Sequence, residues 1–134
     1  MAESTVLVEA ARDAARYSHS PFSRFAVGAA VLTADGQIFR GCNIESSSYG
    51  LTVCAERNAI ASAVVNGHKD FKALAVFSEI GALPCGACRQ VIWDICGDIP
   101  IYVADKNGKM REFQSSGLLP VPFDDRVLRG TKEL

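Results

Sequence analysis

Three cysteines and a glutamate in a fixed order constrain this chain more than any other feature. Cys54-Ala55-Glu56 is followed some thirty residues later by Pro84-Cys85-Gly86-Ala87-Cys88. Hydrophobic periodicity predicts that each cluster sits where the chain enters a helix. The first helix runs from Cys54 to Asn66 with a stripe of Ala55, Ala59, Ile60, Ala63 and Val64, stopped by Gly67. The second runs from about Cys85 to Cys96 with Val91, Ile92 and Ile95 inward, stopped by Gly97. Helix N-termini carry partial positive charge and unpaired N–H groups, so they favour thiolate over thiol. Two such ends brought together would present three thiolates to one metal ion. Zinc suits sulfur ligands in a tetrahedron, and three protein ligands leave a fourth position for a water that ionises near neutral pH.

The count of three is an inference from spacing. Cys96 lies eight residues beyond Cys88 on the same predicted helix, about 12 Å away at the helical rise, and is poorly placed to join the cluster. Cys42 ends a predicted strand, and its reach is left open by the sequence. Glu56, two residues past one ligand, can stand beside a metal without binding it and carry protons there. Other readings compete for the same residues. Cys85 and Cys88 taken alone also suit a thioredoxin-like redox pair, a closed structural zinc site or buried packing. Glu56 taken alone suits a solvated first-turn carboxylate.

The rest of the chain reads as an α/β protein. Residues 4–17 form an amphipathic helix with Leu7, Ala10, Ala11 and Ala14 on one face. Residues 25–33 and 37–42 are β-rich around Ala34-Asp35-Gly36, and residues 100–104 and 110–114 form a second hairpin around Asn107-Gly108. A loop rich in small polar residues runs from Asn43 to about Thr52, and residues 72–78 are short and apolar enough for a buried strand. The order α-β-β-α-β-α-β-β predicts a three-layer α/β/α sandwich around one mixed, roughly five-stranded sheet. With 134 residues, 49% of them hydrophobic, a single domain over residues 1–134 is expected. The net charge is −1 and no long basic block occurs, which disfavours nucleic-acid or acidic-membrane partners. The acidic start, the lack of a spanning apolar run and an odd cysteine count predict a cytoplasmic, reduced protein.

The order of ligand, one residue, glutamate and then Pro-Cys-x-x-Cys is that of zinc deaminases, here in an all-cysteine form. Around it the chain resembles the cytidine deaminase family, in its short homotetrameric class with three cysteine ligands. The resemblance runs from about Ser20 to Phe123 through Ser20-Pro21-Phe22-Ser23-Arg24-Phe25-Ala26-Val27-Gly28-Ala29-Ala30, Gly41-Cys42-Asn43-Ile44-Glu45 and Tyr49-Gly50-Leu51-Thr52-Val53-Cys54-Ala55-Glu56-Arg57. It continues in Pro84-Cys85-Gly86-Ala87-Cys88-Arg89-Gln90-Val91 and Leu118-Leu119-Pro120-Val121-Pro122-Phe123. Phe22 stands where the family usually has Tyr, and Ala26 where it often has Pro.

The resemblance implies one zinc per chain on Cys54, Cys85 and Cys88, with Glu56 as the catalytic acid/base. It implies hydrolysis of free cytidine and deoxycytidine to uridine and deoxyuridine with release of ammonia, a step of pyrimidine salvage. Asn43 and Glu45 match a pair that holds the ribose hydroxyls, and Phe25 an aromatic against the pyrimidine. Ala55 joins the substrate-binding set, and Tyr49 and Phe123 match aromatics that complete a neighbouring subunit's site. Arg57 is expected to donate to the ligand sulfurs and moderate the charge of three thiolates. His19 and His68 fall outside the motifs, Trp93 reads as packing, and Cys42 and Cys96 read as buried fillers. The rivals are a zinc deaminase for another aminopyrimidine or a nucleoside antibiotic, a thiol–disulfide protein, and a structural zinc module.

Overall fold

The computed structural model describes residues 2–130; the last four residues of the charged C-terminal end lie outside the described part. Eight main elements appear in the predicted order. They are α1 (Glu3–Ala15), β1 (Val27–Thr33), β2 (Ile38–Cys42), α2 (Ala55–Val65), β3 (Phe71–Ser78), α3 (Gly86–Cys96), β4 (Pro100–Ala104) and β5 (Met110–Gln114). Two four-residue helices that the sequence pattern did not signal follow, α4 (Ser115–Leu118) and α5 (Asp125–Leu128). The loop after β2 holds a short 3-10 turn, Tyr49–Leu51.

The strands form one mixed sheet in the order β2-β1-β3-β4-β5. β1 is antiparallel to both β2 and β3, and β4 is antiparallel to β5. The parallel pair β3–β4 needs a crossover, which α3 supplies. Alternation along the strands divides the core in two. Ala29, Val31, Leu74, Val76, Ile101 and Val103 face α2 and α3, while Ala30, Leu32, Ala73, Ala75 and Tyr102 face α1. Three layers result, as the α-β order predicts.

Register then decides where a site can form. Val27 pairs with Ser78, and Gly28 with Cys42. The start of β1, the end of β2 and the end of β3 therefore share one end of the sheet. The segments before Val27, after Cys42 and after Ser78 converge there.

Two glycines let the helices come close. A Cβ on Gly28 would lie 1.9 Å from the Ala11 carbonyl oxygen, and one on Gly41 would lie 2.3 Å from the Ala59 nitrogen. α2 meets β2 through Ala55, Ala59 and Ala63, all fully buried. Two inward assignments from the sequence need correction. Val64 sits half a turn round α2 from Ala55 and is 47% exposed. Ile95 is 40% exposed in the last turn of α3, and Cys96 packs against the core instead. Cys42 is only half-buried, with its Sγ 3.4 Å from the Tyr17 carbonyl oxygen.

Gly41→Ala is expected to push α2 off β2 and lower stability in urea unfolding by about 1–3 kcal/mol, as overpacking does. Gly50→Ala, where nothing lies within 4 Å of the added carbon, should change it by less than about 0.5 kcal/mol.

Candidate metal centre and its pocket

Cys54 and Cys85 are the residues that cap α2 and α3 at their N-termini, and Cys88 lies one turn into α3, fully buried. The three Sγ atoms all lie within 4.8 Å of one another, and Cys54 and Cys85 are 3.7 Å apart. A tetrahedron of zinc–sulfur bonds of about 2.3 Å has edges of about 3.8 Å, so this spacing suits zinc. It is far beyond the roughly 2.05 Å of a disulfide. Among the described residues no other cysteine, histidine or carboxylate joins the group. The donor set is soft, tetrahedral in spacing and one ligand short, which fits one zinc ion per chain with a free corner.

Electrostatics at the cluster follow from its neighbours. The Cys88 thiol, and after it the Arg57 guanidinium, lower the Cys54 thiol from 9.0 to about 5. Arg57 Nη2 donates to Cys54 Sγ at 3.5 Å, and Arg57 Nε is buried without a hydrogen-bond partner. The same pairing with Cys54, together with burial, pushes the Cys88 thiol up. Glu56, in the first turn of α2, is 3% exposed. Burial, reinforced by the charge of Cys54, raises its carboxyl from 4.5 to about 7.

Beside the cluster lies a cavity of ≈ 200 Å³. Its lining includes Cys54, Cys85, Ala55 and Glu56 from the two helix starts, and Phe25, Asn43 and Glu45 from the segments that flank β1 and β2. Ser23, Val27, Thr52, Val76, Ala82 and Leu83 complete the lining, none of which the sequence pattern gave a role at the site. Tyr49 and Phe123 stay outside. Tyr49 is 76% exposed, with its ring 6.2 Å from that of Phe22. Phe123 is 57% exposed, and its carbonyl accepts from Gln90 Nε2 at 2.6 Å. Larger concavities along α1, beside α5, between Phe22 and Tyr49, and beside Cys42 contain neither Glu56 nor any of the three clustered thiols.

Several supports were not anticipated. Arg89 Nε donates to the Pro84 carbonyl at 2.8 Å and holds the turn into Cys85. Asn58 Nδ2 donates to the Cys42 carbonyl at 2.8 Å and ties α2 to the end of β2. The His19 N–H donates to the Asn43 carbonyl, and the Glu45 N–H donates back to the His19 carbonyl. Trp93, expected to be packing alone, also donates from Nε1 to Asp124 Oδ2 at 3.1 Å. His68 lies against the Phe39 ring, 4.9 Å between centroids, and is not part of the thiol cluster.

Residues 1–103 match the family described as the cytidine and deoxycytidylate deaminase zinc-binding region. A cytidine deaminase of Sporosarcina psychrophila is 45% identical over 125 residues, 91% of this chain and 92% of that protein. A probable cytidine deaminase of Dictyostelium discoideum is 51% identical over 124 residues, 90% of this chain and 84% of its own length. The crystal structure of a cytidine deaminase from Burkholderia pseudomallei superposes with a TM-score of 0.88 at 41% identity, covering 92% of this chain and 100% of that one.

Zinc content should track the three sulfurs. Cys54→Ser and Cys85→Ser are each expected to weaken zinc retention in a chelator competition by more than about tenfold, the scale on which even outer partners of a metal matter. Cys42→Ser and Cys96→Ser should keep one zinc per chain, and loss of zinc from either would place the metal elsewhere.

Proposed function

This chain belongs to the cytidine and deoxycytidylate deaminase family, and on that premise we propose that it hydrolyses free cytidine and deoxycytidine to uridine and deoxyuridine. Water adds at the ring carbon that bears the amino group, and ammonia leaves. The observation that carries this reading is the buried Glu56 carboxyl sharing one cavity with the thiol cluster.

Cys54, Cys85 and Cys88 hold the zinc. Bound there, zinc supplies the Lewis acidity that makes a water nucleophilic near neutral pH. Glu56 moves the protons. Its carboxylate takes one from the attacking water and delivers it to ring N3, which makes the adjacent carbon electrophilic. A second transfer through the same carboxyl protonates the departing amino nitrogen. A carboxyl raised to about 7 is suited to both directions, because neither protonation state is strongly disfavoured near neutrality. Arg57 offsets the negative charge of the thiolates. Phe25 packs on the pyrimidine, Ala55 borders it at the helix start, and Asn43 and Glu45 hold the sugar. A cavity of ≈ 200 Å³ is small, which favours a free nucleoside over a base within a strand.

The working unit is a homotetramer in which Tyr49 and Phe123 reach a neighbouring copy's cavity. Their exposure, together with that of Leu51 and Val121, supports this reading. Residues 1–134 act as one domain, supported by the single sheet that orders the site. No helix among the described residues is long and apolar enough to cross a membrane. None of the five cysteines is paired in a disulfide, which supports a reducing cytoplasm and the salvage of nucleosides there.

The test follows cytidine absorbance with zinc-loaded protein. Conversion to uridine is expected, and Glu56→Gln should keep its zinc while losing activity by roughly 10²–10⁴-fold or more. A wild-type protein inert on both nucleosides, or an active Glu56→Gln, would contradict the proposal.

A further inference from the structure

The polar wall of the cavity is a closed hydrogen-bond network, and counting its bonds shows what remains free. Asn43 Oδ1 accepts from Ser18 Oγ at 2.5 Å and from the Val27 N–H at 3.0 Å, while Nδ2 donates to the Phe25 carbonyl at 2.7 Å. Backbone partners on both sides fix which end of the amide is oxygen. Both oxygen lone pairs are used and one N–H is left. Glu45 Oε1 accepts from the N–H groups of Phe22 and Ser23, at 2.9 and 3.2 Å, which uses both of its lone pairs. Glu45 Oε2 accepts from the Ser23 hydroxyl, which leaves it one acceptor position.

Ser23 is the junction of this network. Its N–H and its hydroxyl grip both oxygens of Glu45, and its Oγ also accepts from the Phe25 N–H at 3.1 Å. One side chain therefore links the carboxylate to the backbone of the aromatic residue on the same wall. The turn that presents it includes Arg24, a non-glycine residue at φ 57°, whose N–H donates to the Ser20 carbonyl at 2.9 Å. The Ser23 hydroxyl is also the first cause of the lowered Glu45 carboxyl, ahead of the two backbone N–H groups.

The geometry points to Ser23 as a positioning residue for sugar recognition: by occupying one lone pair of Glu45 Oε2 it orients the single remaining acceptor toward the cavity that Asn43, with its free N–H, also lines. This rests on the proposed role of Glu45 in holding the sugar. One donor and one acceptor match one hydroxyl group, which accepts and donates at once. Without the Ser23 hydroxyl, Glu45 keeps its charge and its backbone contacts but can turn Oε2 toward water.

The test compares cytidine with 2′,3′-dideoxycytidine, which lacks both ring hydroxyls, as substrates of the zinc-loaded enzyme. Ser23→Ala should raise KM for cytidine about tenfold, the effect of one charge-assisted hydrogen bond, with kcat within about twofold. The ratio of kcat/KM for cytidine over the dideoxy compound should fall by the same factor, and Ser23→Thr, which keeps the hydroxyl, should restore it. In a Glu45→Gln background, Ser23→Ala should add no further loss. An unchanged ratio in Ser23→Ala, or equal losses on both substrates, would overturn the inference while Glu45→Gln still collapses the ratio. A Glu45→Gln enzyme with an unchanged ratio would instead overturn the underlying role of Glu45, and this inference with it.

Discussion

Everything at this site depends on two helix N-termini meeting over one end of a sheet. α2 and α3 each begin at a cysteine, so their unpaired N–H groups and dipoles face the same small volume. Three sulfurs within 4.8 Å would repel as thiolates if left alone. A divalent cation removes that repulsion, which makes metal binding and the local fold one problem. The helices can approach only because the sheet side is stripped of bulk. Gly41 admits Ala59 and Ala55, so the rigid start of α2 is set by backbone contact and not by an adaptable side chain.

The placement of Glu56 follows from the same contact. One residue after Ala55, in the first turn of a helix pressed against β2, its carboxyl has little access to water. Burial costs the ionised form and the backbone N–H of Glu56 itself, at the start of α2, recovers part of that cost, so the proton is held near neutrality. Ordinary acids on a protein surface are spent as proton carriers at that pH. The protein's investment is visible as an acid kept dry next to a thiol that is kept ionised.

Much of this was legible in the sequence because periodicity and spacing are local properties. The stripe from Ala55 to Ala63 located α2, Gly67 and Gly97 marked the two helix ends, and Asn107-Gly108 marked the β4–β5 turn. Cys54, Glu56, Cys85 and Cys88 could be grouped because helix starts are predictable and metal chemistry requires convergence. The failures are instructive in the same terms. Val64 and Ile95 are apolar at helical spacing, yet burial depends on where the sheet ends, which no local window contains. Ser23 acts on the Glu45 carboxylate 22 residues away, and Arg89 and Asn58 act on backbone carbonyls 5 and 16 residues away. Nothing in their own neighbourhoods distinguishes them from solvated polar residues, and for Ser23 and Asn58 only the fold brings their partners near. Tyr49 and Phe123 were singled out through family resemblance, and within one chain they line no common cavity with Glu56.

Zinc K-edge X-ray absorption on the purified, zinc-loaded protein tests the central claim most directly. Three sulfurs at about 2.3 Å and one light atom near about 2.0 Å are predicted, the signature of a site that keeps a corner for solvent. A shell of four sulfurs would show that Cys42 or Cys96 closes the site, and the account of an open, reactive metal would fail.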